Sequence, residues 1–182
     1  MSLIALGANV DGHWGKPEQT LQTCLTRLAD EGFDGIRVSP AYRTKAYGSV
    51  RQPDYLNVVV QVNVHRSPRD TINLFKRLER EAGRRLLGRN APRPLDVDLL
   101  DWAGRVVNWP PGQPRPQVVL PHPLLDRRAF VLAPLADLVP GWRHPVRGLT
   151  ARQLFDRLGG KQQAARRREI FRVDPIRITC DS

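Results

Sequence analysis

Two aspartates one residue apart, Asp96 and Asp98, have the types and spacing most suited to chemistry in this chain. They lie in residues 95–100, where leucine and valine alternate with the two carboxylates. In a β-strand this alternation puts both carboxylates on one face, with Cα atoms about 6.5–7 Å apart. Like charges that close raise each other's pKa unless a cation lies beside them, and Mg²⁺ prefers such oxygen ligands. The pair therefore predicts a magnesium site, although a solvated strand face has the same spacing.

The segment just before the aspartates, residues 83–93, is rich in arginine. Four of its eleven residues are arginines, and glycines lie between them. Guanidinium groups bind phosphate in a bidentate manner, and glycines let a loop rearrange. The segment is therefore predicted to close over a triphosphate, the alternative being a solvated basic loop. Because Arg93 adjoins the carboxylates, anion clamps and cation ligands are expected in one place.

Other residues are candidates for ligand contacts. His122 lies between two prolines that fix its turn, and Arg128 stands near the start of a predicted helix, where phosphate is favoured. Asn57 offers a donor and an acceptor to a planar heterocycle, with Tyr55 and Phe130 as stacking faces. A surface histidine and core aromatics are the alternative interpretations.

Glu79 is expected to be a solvated charge. The predicted apolar face of its helix consists of Ile72, Phe75, Leu78 and Ala82, and Glu79 lies outside that set.

Composition limits the class of protein. The chain has 182 residues and a formal net charge of +11, which predicts one domain and a partner rich in phosphate or carboxylate. Its two cysteines lie far apart, without the spacing of a zinc site or a disulfide framework. Neither a signal-like N-terminus nor a long apolar run is present. A cytoplasmic protein without a membrane partner is expected.

Hydrophobic periodicity predicts a ferredoxin-like βαββαβ sandwich of the α+β class, with additional C-terminal elements. The first four predicted elements are a strand at 3–6, a helix at 17–29 and strands at 36–47 and 55–64. A helix at 68–82, opened by Ser67 and ended by Gly83, and a strand at 95–102 complete the order.

Beyond this core the pattern predicts a Pro-rich loop, a strand and two short helices. Their expected positions are 108–116, 117–120, 127–138 and 150–158, with Thr150 as a cap. We expect a domain over 1–158, followed by a basic extension over 159–182 that is either mobile or an added edge strand.

Several ordered motifs resemble the 6-hydroxymethyl-7,8-dihydropterin pyrophosphokinase family of folate biosynthesis. The resemblance covers residues 3 to about 158, and the segment PRPLDVDLL is its most specific part. The matching segments are ALGAN at 5–9, YRT at 42–44, QPDYLN at 52–57, residues 79–84, PRPLDVDLL at 92–100, PHP at 121–123 and RAFVL at 128–132.

The resemblance implies transfer of pyrophosphate from ATP to the pterin hydroxymethyl oxygen, with release of AMP. Asp96 and Asp98 would bind two Mg²⁺ ions and, with Arg84 and Arg93, form the catalytic set. The implied ATP-binding residues are Glu79, Arg84, Arg93, Leu99, His122 and Arg128. The implied pterin-binding residues are Thr44, Tyr47, Gly48, Tyr55, Asn57, Asp96 and Phe130. The expected partners are these small molecules, without nucleic acid, and the expected state is a monomer.

The chain departs from the family pattern in several places. Asn90 stands near a position where some members have tryptophan, and Lys76 stands where glutamine is common. Gln117 replaces an ATP-contacting arginine, with Arg115 as a candidate substitute. The Pro-rich loop is longer than in compact members, and the extension after 158 has no assigned counterpart.

Two rival functions are an RNA-binding module and a catalytically inactive scaffold. RNA-recognition modules share the element order, but they stack bases on aromatics of the first and third strands. Here residues 3–6 contain no aromatic, the third strand has only Tyr55, and Asp96 and Asp98 would repel a nucleic-acid backbone. The metal-type carboxylates also argue against an inactive scaffold.

Overall fold

An antiparallel sheet runs through the molecule, with helices packed on both faces. The computed structural model describes residues 1–46, 52–85, 91–112 and 117–158, and the backbone of 170–173. In these ranges it has a mixed α/β fold with four α-helices. The strands are β1 Ser2–Ala8, β2 Asp34–Val38, β3 Ala41–Thr44, β4 Tyr55–Asn63, β5 Asp96–Asp101 and β6 Ile170–Val173. The helices are α1 Pro17–Asp30, α2 Pro68–Glu81, α3 Ala129–Leu138 and α4 Ala151–Asp156.

In the sheet, β1 lies between β5 and β4. The order is β5-β1-β4-β3-β6, with β2 also paired to β4, and the pairings are antiparallel. The single strand predicted at 36–47 is wrong, since the chain forms β2 and β3 there. Between them Ser39 accepts a hydrogen bond from Val59 N at 2.9 Å through its Oγ, and Pro40 has no N–H to donate.

One face of the sheet is covered by α1 and α2. The predicted stripe of α1 is confirmed, since its four apolar members are fully buried. The start of α2 is also confirmed, because Ser67 Oγ accepts a hydrogen bond from Asp70 N and Pro68 occupies the first helical turn. Gly83, with φ of +99°, follows the helix in a conformation that favours glycine. The four buried α1 residues are Leu21, Cys24, Leu25 and Leu28.

The other face is covered by α3 and α4. Thr150 caps α4 as predicted, accepting a hydrogen bond from Gln153 N. The helix predicted at 127–138 is interrupted, because a short 3-10 helix at Leu125–Arg127 is followed by extended backbone at Arg128 before α3 begins. The predicted strand at 117–120 is wrong within the described residues 117–120, which make one isolated bridge, Val107 to Leu120.

The C-terminal extension contributes β6, which pairs with β3 at the edge of the sheet. The rest of 159–182 lies outside the described residues, and the domain limit at 158 stays a prediction. No helix in the described part of the chain combines the length and apolarity needed to cross a membrane.

A buried histidine, His144, lies in the segment that joins α3 to α4. His144 is 1% exposed, and its Nδ1 accepts hydrogen bonds from Val146 N and Arg147 N, both at 3.2 Å. Its ring meets Trp109 and Trp142 edge-on at centroid distances of 6.0 and 5.9 Å. Burial lowers the pKa of His144 below its ordinary value, so the folded protein holds this ring neutral.

We expect this histidine to reduce stability in acid. Because its pKa is lower in the folded chain, the unfolded chain takes up the proton first, and stability falls as the pH drops below about 6.5. The slope is at most about 1.4 kcal/mol per pH unit. His144→Asn retains an acceptor for the two backbone N–H groups and should flatten the dependence, measured as urea-unfolding free energy between about pH 5 and about pH 7. Equal slopes in the two proteins would contradict this role.

Candidate functional site

The two aspartates of β5 project from one face of the sheet. Val97 and Leu99, which alternate with them, are buried in the core beneath α1 and α2. Asp96 and Asp98 each keep 29% of their side-chain surface exposed on the opposite side. The alternation predicted from the sequence is confirmed.

Three arginines and a histidine surround the two carboxylates. Asp96 Oδ1 accepts hydrogen bonds from Arg84 Nη1 at 2.9 Å and Arg93 Nη1 at 2.6 Å. Asp98 Oδ2 accepts one from Arg128 Nη1. His122 Nε2 lies 3.9 Å from the same Asp98 oxygen.

The charge on Asp98 is stabilised by these cationic groups. Burial alone would raise its pKa, but His122, Arg128 and Arg93 lower it further than burial raises it. The net direction is below the ordinary aspartate value, so Asp98 is an ionised oxygen donor at neutral pH. An ionised carboxylate oxygen of this kind suits a hard cation, including a cation that is bound to phosphate.

Glu79 is not the solvated charge expected from the sequence. It is 8% exposed, accepts a hydrogen bond from Val97 N at 2.9 Å and forms an ion pair with Arg84. Burial raises the pKa of Glu79 to about 7, against the opposing effects of the Val97 hydrogen bond and Arg84. Thus α2 holds the backbone between the two aspartates and orients Arg84 through one carboxylate.

A cleft of about 360 Å³ runs between α2 and β5. Its lining includes charged side chains and also apolar side chains of both elements. Lys76 and Gln117, two of the departures from the family pattern, also line it, whereas Arg115 and Asn90 lie outside the described residues. The sequence-predicted residues that meet here are Glu79, Arg84, Arg93, Asp96, Asp98, Leu99 and His122.

A second part of the site lies across β1, where Gly7 pairs with Asp96 on one side and Asn57 on the other. Opposed residues share a face, so the carboxylate and the amide belong to one row about 10 Å long. A Cβ on Gly7 would stand 3.0 Å from Asn57 Oδ1 and 3.8 Å from Tyr55 Cδ1. Glycine at this position therefore leaves room for the Asn57 and Tyr55 side chains.

Three further predicted ligand-binding residues, Thr44, Asn57 and Phe130, each interact with another side chain. Asn57 Nδ2 donates a hydrogen bond to Thr44 Oγ1 at 2.9 Å, which fixes the orientation of the amide. The Phe130 ring lies 5.7 Å from the Arg128 guanidinium carbon. Tyr47 and Gly48 fall outside the described residues.

Asn9 is a site residue to which sequence reasoning assigned no role. It is 2% exposed, and its amide group bonds both to Arg93 and to the segment that precedes Tyr55. The signal available in the sequence was its position directly after an apolar strand. A buried amide at that position needs hydrogen-bond partners, and neighbouring loops supply them.

The donor set fits Mg²⁺ only if a ligand completes the coordination. Within the described ranges, no three His, Cys, Asp or Glu side chains are close enough together to hold a metal. Asp96 and Asp98 would therefore supply two oxygens, and phosphate or water the others. This division is usual for Mg²⁺ at nucleotide sites.

Paired carboxylates, three arginines and an adjoining cleft define an enzyme of the phosphate-transferring class. Residues 3–140 match the 7,8-dihydro-6-hydroxymethylpterin-pyrophosphokinase (HPPK) family. The match covers well over half of the chain, and the protein belongs to this family. The resemblance read from the motifs is thereby confirmed.

Individual relatives agree with this assignment. The chain is 33% identical over 158 residues to the 2-amino-4-hydroxy-6-hydroxymethyldihydropteridine pyrophosphokinase of Synechocystis sp., covering 86% of this chain and 75% of that one. It is 32% identical over 145 residues to the enzyme of the same name from Pseudomonas aeruginosa, covering 78% and 82%.

The fold resembles that of a solved protein of Plasmodium falciparum described as HPPK-DHPS. The TM-score is 0.67 at 12% identity, with coverage of 94% of this chain and 44% of that one. The chain thus spans less than half the length of that protein. At this identity the comparison shows the fold alone.

We predict that Glu79 contributes to stability chiefly by satisfying Val97 N. Glu79→Leu leaves that buried N–H without an acceptor, whereas Glu79→Gln keeps an amide oxygen there. The leucine variant should be less stable than the glutamine variant by about 1–3 kcal/mol, measured by urea unfolding. Equal stabilities of the two variants would show that the hydrogen bond to Val97 is unimportant.

Proposed function

We propose that this chain transfers pyrophosphate from ATP to the hydroxymethyl oxygen of 6-hydroxymethyl-7,8-dihydropterin, giving AMP and the dihydropterin diphosphate. The observation that carries the proposal is the row across β5, β1 and β4, in which Asp96, Gly7 and Asn57 are in register. In the proposed site the Asp96 end of this row binds phosphate and the Asn57 end, about two strand spacings away, binds the heterocycle.

The nucleotide occupies the cleft between α2 and β5. Its phosphates meet Arg84, Arg93 and Arg128, with His122 beside them, and Glu79 and Leu99 contribute to the nucleotide site. The apolar side chains that line the cleft suit a purine ring. Lys76 and Gln117 stand at this nucleotide site in place of the side chains common in the family, so peripheral nucleotide contacts differ here.

The pterin lies over Gly7. Tyr55 and Phe130 stack on its two faces, and Asn57, aligned by Thr44, reads its edge together with Asp96. Tyr47 and Gly48 belong to this set through the family resemblance.

Asp96 and Asp98 would hold the two Mg²⁺ ions, which would supply charge neutralisation for the phosphates. Arginine guanidinium groups stabilise charge that spreads over the transferring oxygens. Both substrates are held at fixed separation on one rigid sheet, which lowers the entropic part of the barrier. No strong base is required.

Two further assignments accompany this function. The strand order and the antiparallel pairing support a ferredoxin-like βαββαβ sandwich with added C-terminal elements. The RNA-binding alternative is not favoured, since ionised Asp98 lies on the face where a nucleic acid would bind. The expected monomeric state, cytoplasmic location and lack of nucleic-acid or membrane partners stay predictions.

The proposed reaction predicts which nucleotide is released. Purified protein with ATP, Mg²⁺ and the reduced hydroxymethylpterin should release AMP, because the bond broken joins the α- and β-phosphates. Excess EDTA should abolish the reaction and added Mg²⁺ should restore it, as followed by chromatography of the nucleotides. Release of ADP, or a rate insensitive to EDTA, would contradict the proposal.

Removal of one metal-binding charge should separate catalysis from folding. Asp98→Asn should lower turnover by about 100-fold or more and change the melting temperature by only a few degrees, the shift that about 1 kcal/mol produces in a domain of this size. A large loss of stability with modest loss of turnover would indicate a structural carboxylate instead.

A matched control lies on the same strand. Asp101 is 3% exposed and accepts hydrogen bonds from Gly104 N and Trp142 Nε1, both at 2.8 Å. Asp101→Asn should therefore lower the melting temperature and retain most of the turnover, the reverse of the Asp98 variant.

A further inference from the structure

The side-chain amide of Asn9 forms hydrogen bonds with two separate segments of the chain, one at Arg93 and the other at residues 52–53. Its Oδ1 accepts a hydrogen bond from Arg93 N at 2.8 Å, and its backbone N donates one to Arg93 O at 3.1 Å. Its Nδ2 donates to Pro53 O at 3.1 Å and to Gln52 Oε1 at 3.4 Å. Both N–H groups of the amide and its oxygen are thus engaged, in a side chain that is 2% exposed.

The two anchored segments carry the two binding functions. Arg93 is held at both its backbone N–H and its carbonyl, while its guanidinium reaches Asp96. Pro53 stands two residues before Tyr55, where β4 begins with the predicted stacking ring. A displacement of either segment changes the distance between the phosphate clamp and the pterin face.

Asparagine suits this position for a chemical reason. The side chain must accept from one backbone N–H and donate to one backbone carbonyl. Aspartate can accept but not donate, so a carboxylate oxygen would face the lone pairs of Pro53 O. Serine is too short to reach both segments. The hydrogen-bond pattern therefore requires the amide rather than only a polar residue.

We infer that Asn9 is a positioning residue, which sets the separation between the Arg93 phosphate clamp and the Tyr55 side of the pterin site. This inference rests on the proposed function. Asn9 touches neither set of reacting atoms, and it acts through the main chain of Arg93 and of Pro53.

Two variants test the inference. Asn9→Asp keeps the acceptor for Arg93 N and loses both side-chain donors, and Asn9→Ser, whose hydroxyl is too short to bridge the two segments, breaks the link without a buried charge. In both variants the backbone hydrogen bond from residue 9 N to Arg93 O remains. In each, we expect kcat to fall about ten- to hundredfold, the loss typical of a small misplacement of reacting groups. The dissociation constant of MgATP, measured by calorimetry, should stay within about twofold of the wild-type value, because the Arg93 anchor remains.

The control is Asn63→Ser, which removes an amide that donates to Asp34 Oδ1 at the far end of β4. It should leave kcat and both KM values unchanged. If Asn9→Asp does not fold, the serine variant gives the result alone.

The outcomes separate this inference from the proposed function. A wild-type protein that forms no AMP overturns the function and the inference together. An active wild type with active Asn9 variants overturns the inference alone. Variants whose MgATP affinity falls as much as kcat also overturn it, since they indicate general damage to the fold.

Discussion

Two carboxylates side by side on one strand repel each other, and three separate parts of the chain supply cations that offset this repulsion. Arg84 comes from the end of α2, Arg93 from the segment before β5, and Arg128 from the extended residue that separates the 3-10 helix from α3. Each arginine meets an aspartate oxygen. Segments that lie far apart in the sequence thus meet at β5, where their guanidinium groups offset its negative charges.

The strand next to β5 carries small side chains where it faces the two aspartates. On the face that carries Asp96 and Asp98, β1 presents Ala5 and Gly7, and these pair with residues of both β4 and β5. A larger side chain at Gly7 would contact Asn57. The central strand therefore combines two roles, since it holds the register of its neighbours and leaves room for the Asn57 side chain beside it.

The sequence predicted what depends on local pattern. The α1 stripe, the Ser67 and Thr150 caps and the facing of Asp96 and Asp98 follow from periodicity and capping chemistry, and the structure confirms them. Glu79 could not be placed, because its burial depends on the contact of α2 with the backbone of β5. The break between β2 and β3 at Ser39 and Pro40 was missed for a similar reason, since it depends on the Ser39 hydrogen bond to β4.

The pairing of β6 with β3 also affects how the protein behaves away from its site. A strand at the edge of a sheet exposes unpaired N–H and carbonyl groups that can recruit other chains. The backbone of Ile170–Val173 engages β3 at that edge. A chain that ended before β6 would leave β3 without this partner, and the backbone N–H and carbonyl groups of β3 would then form that edge of the sheet.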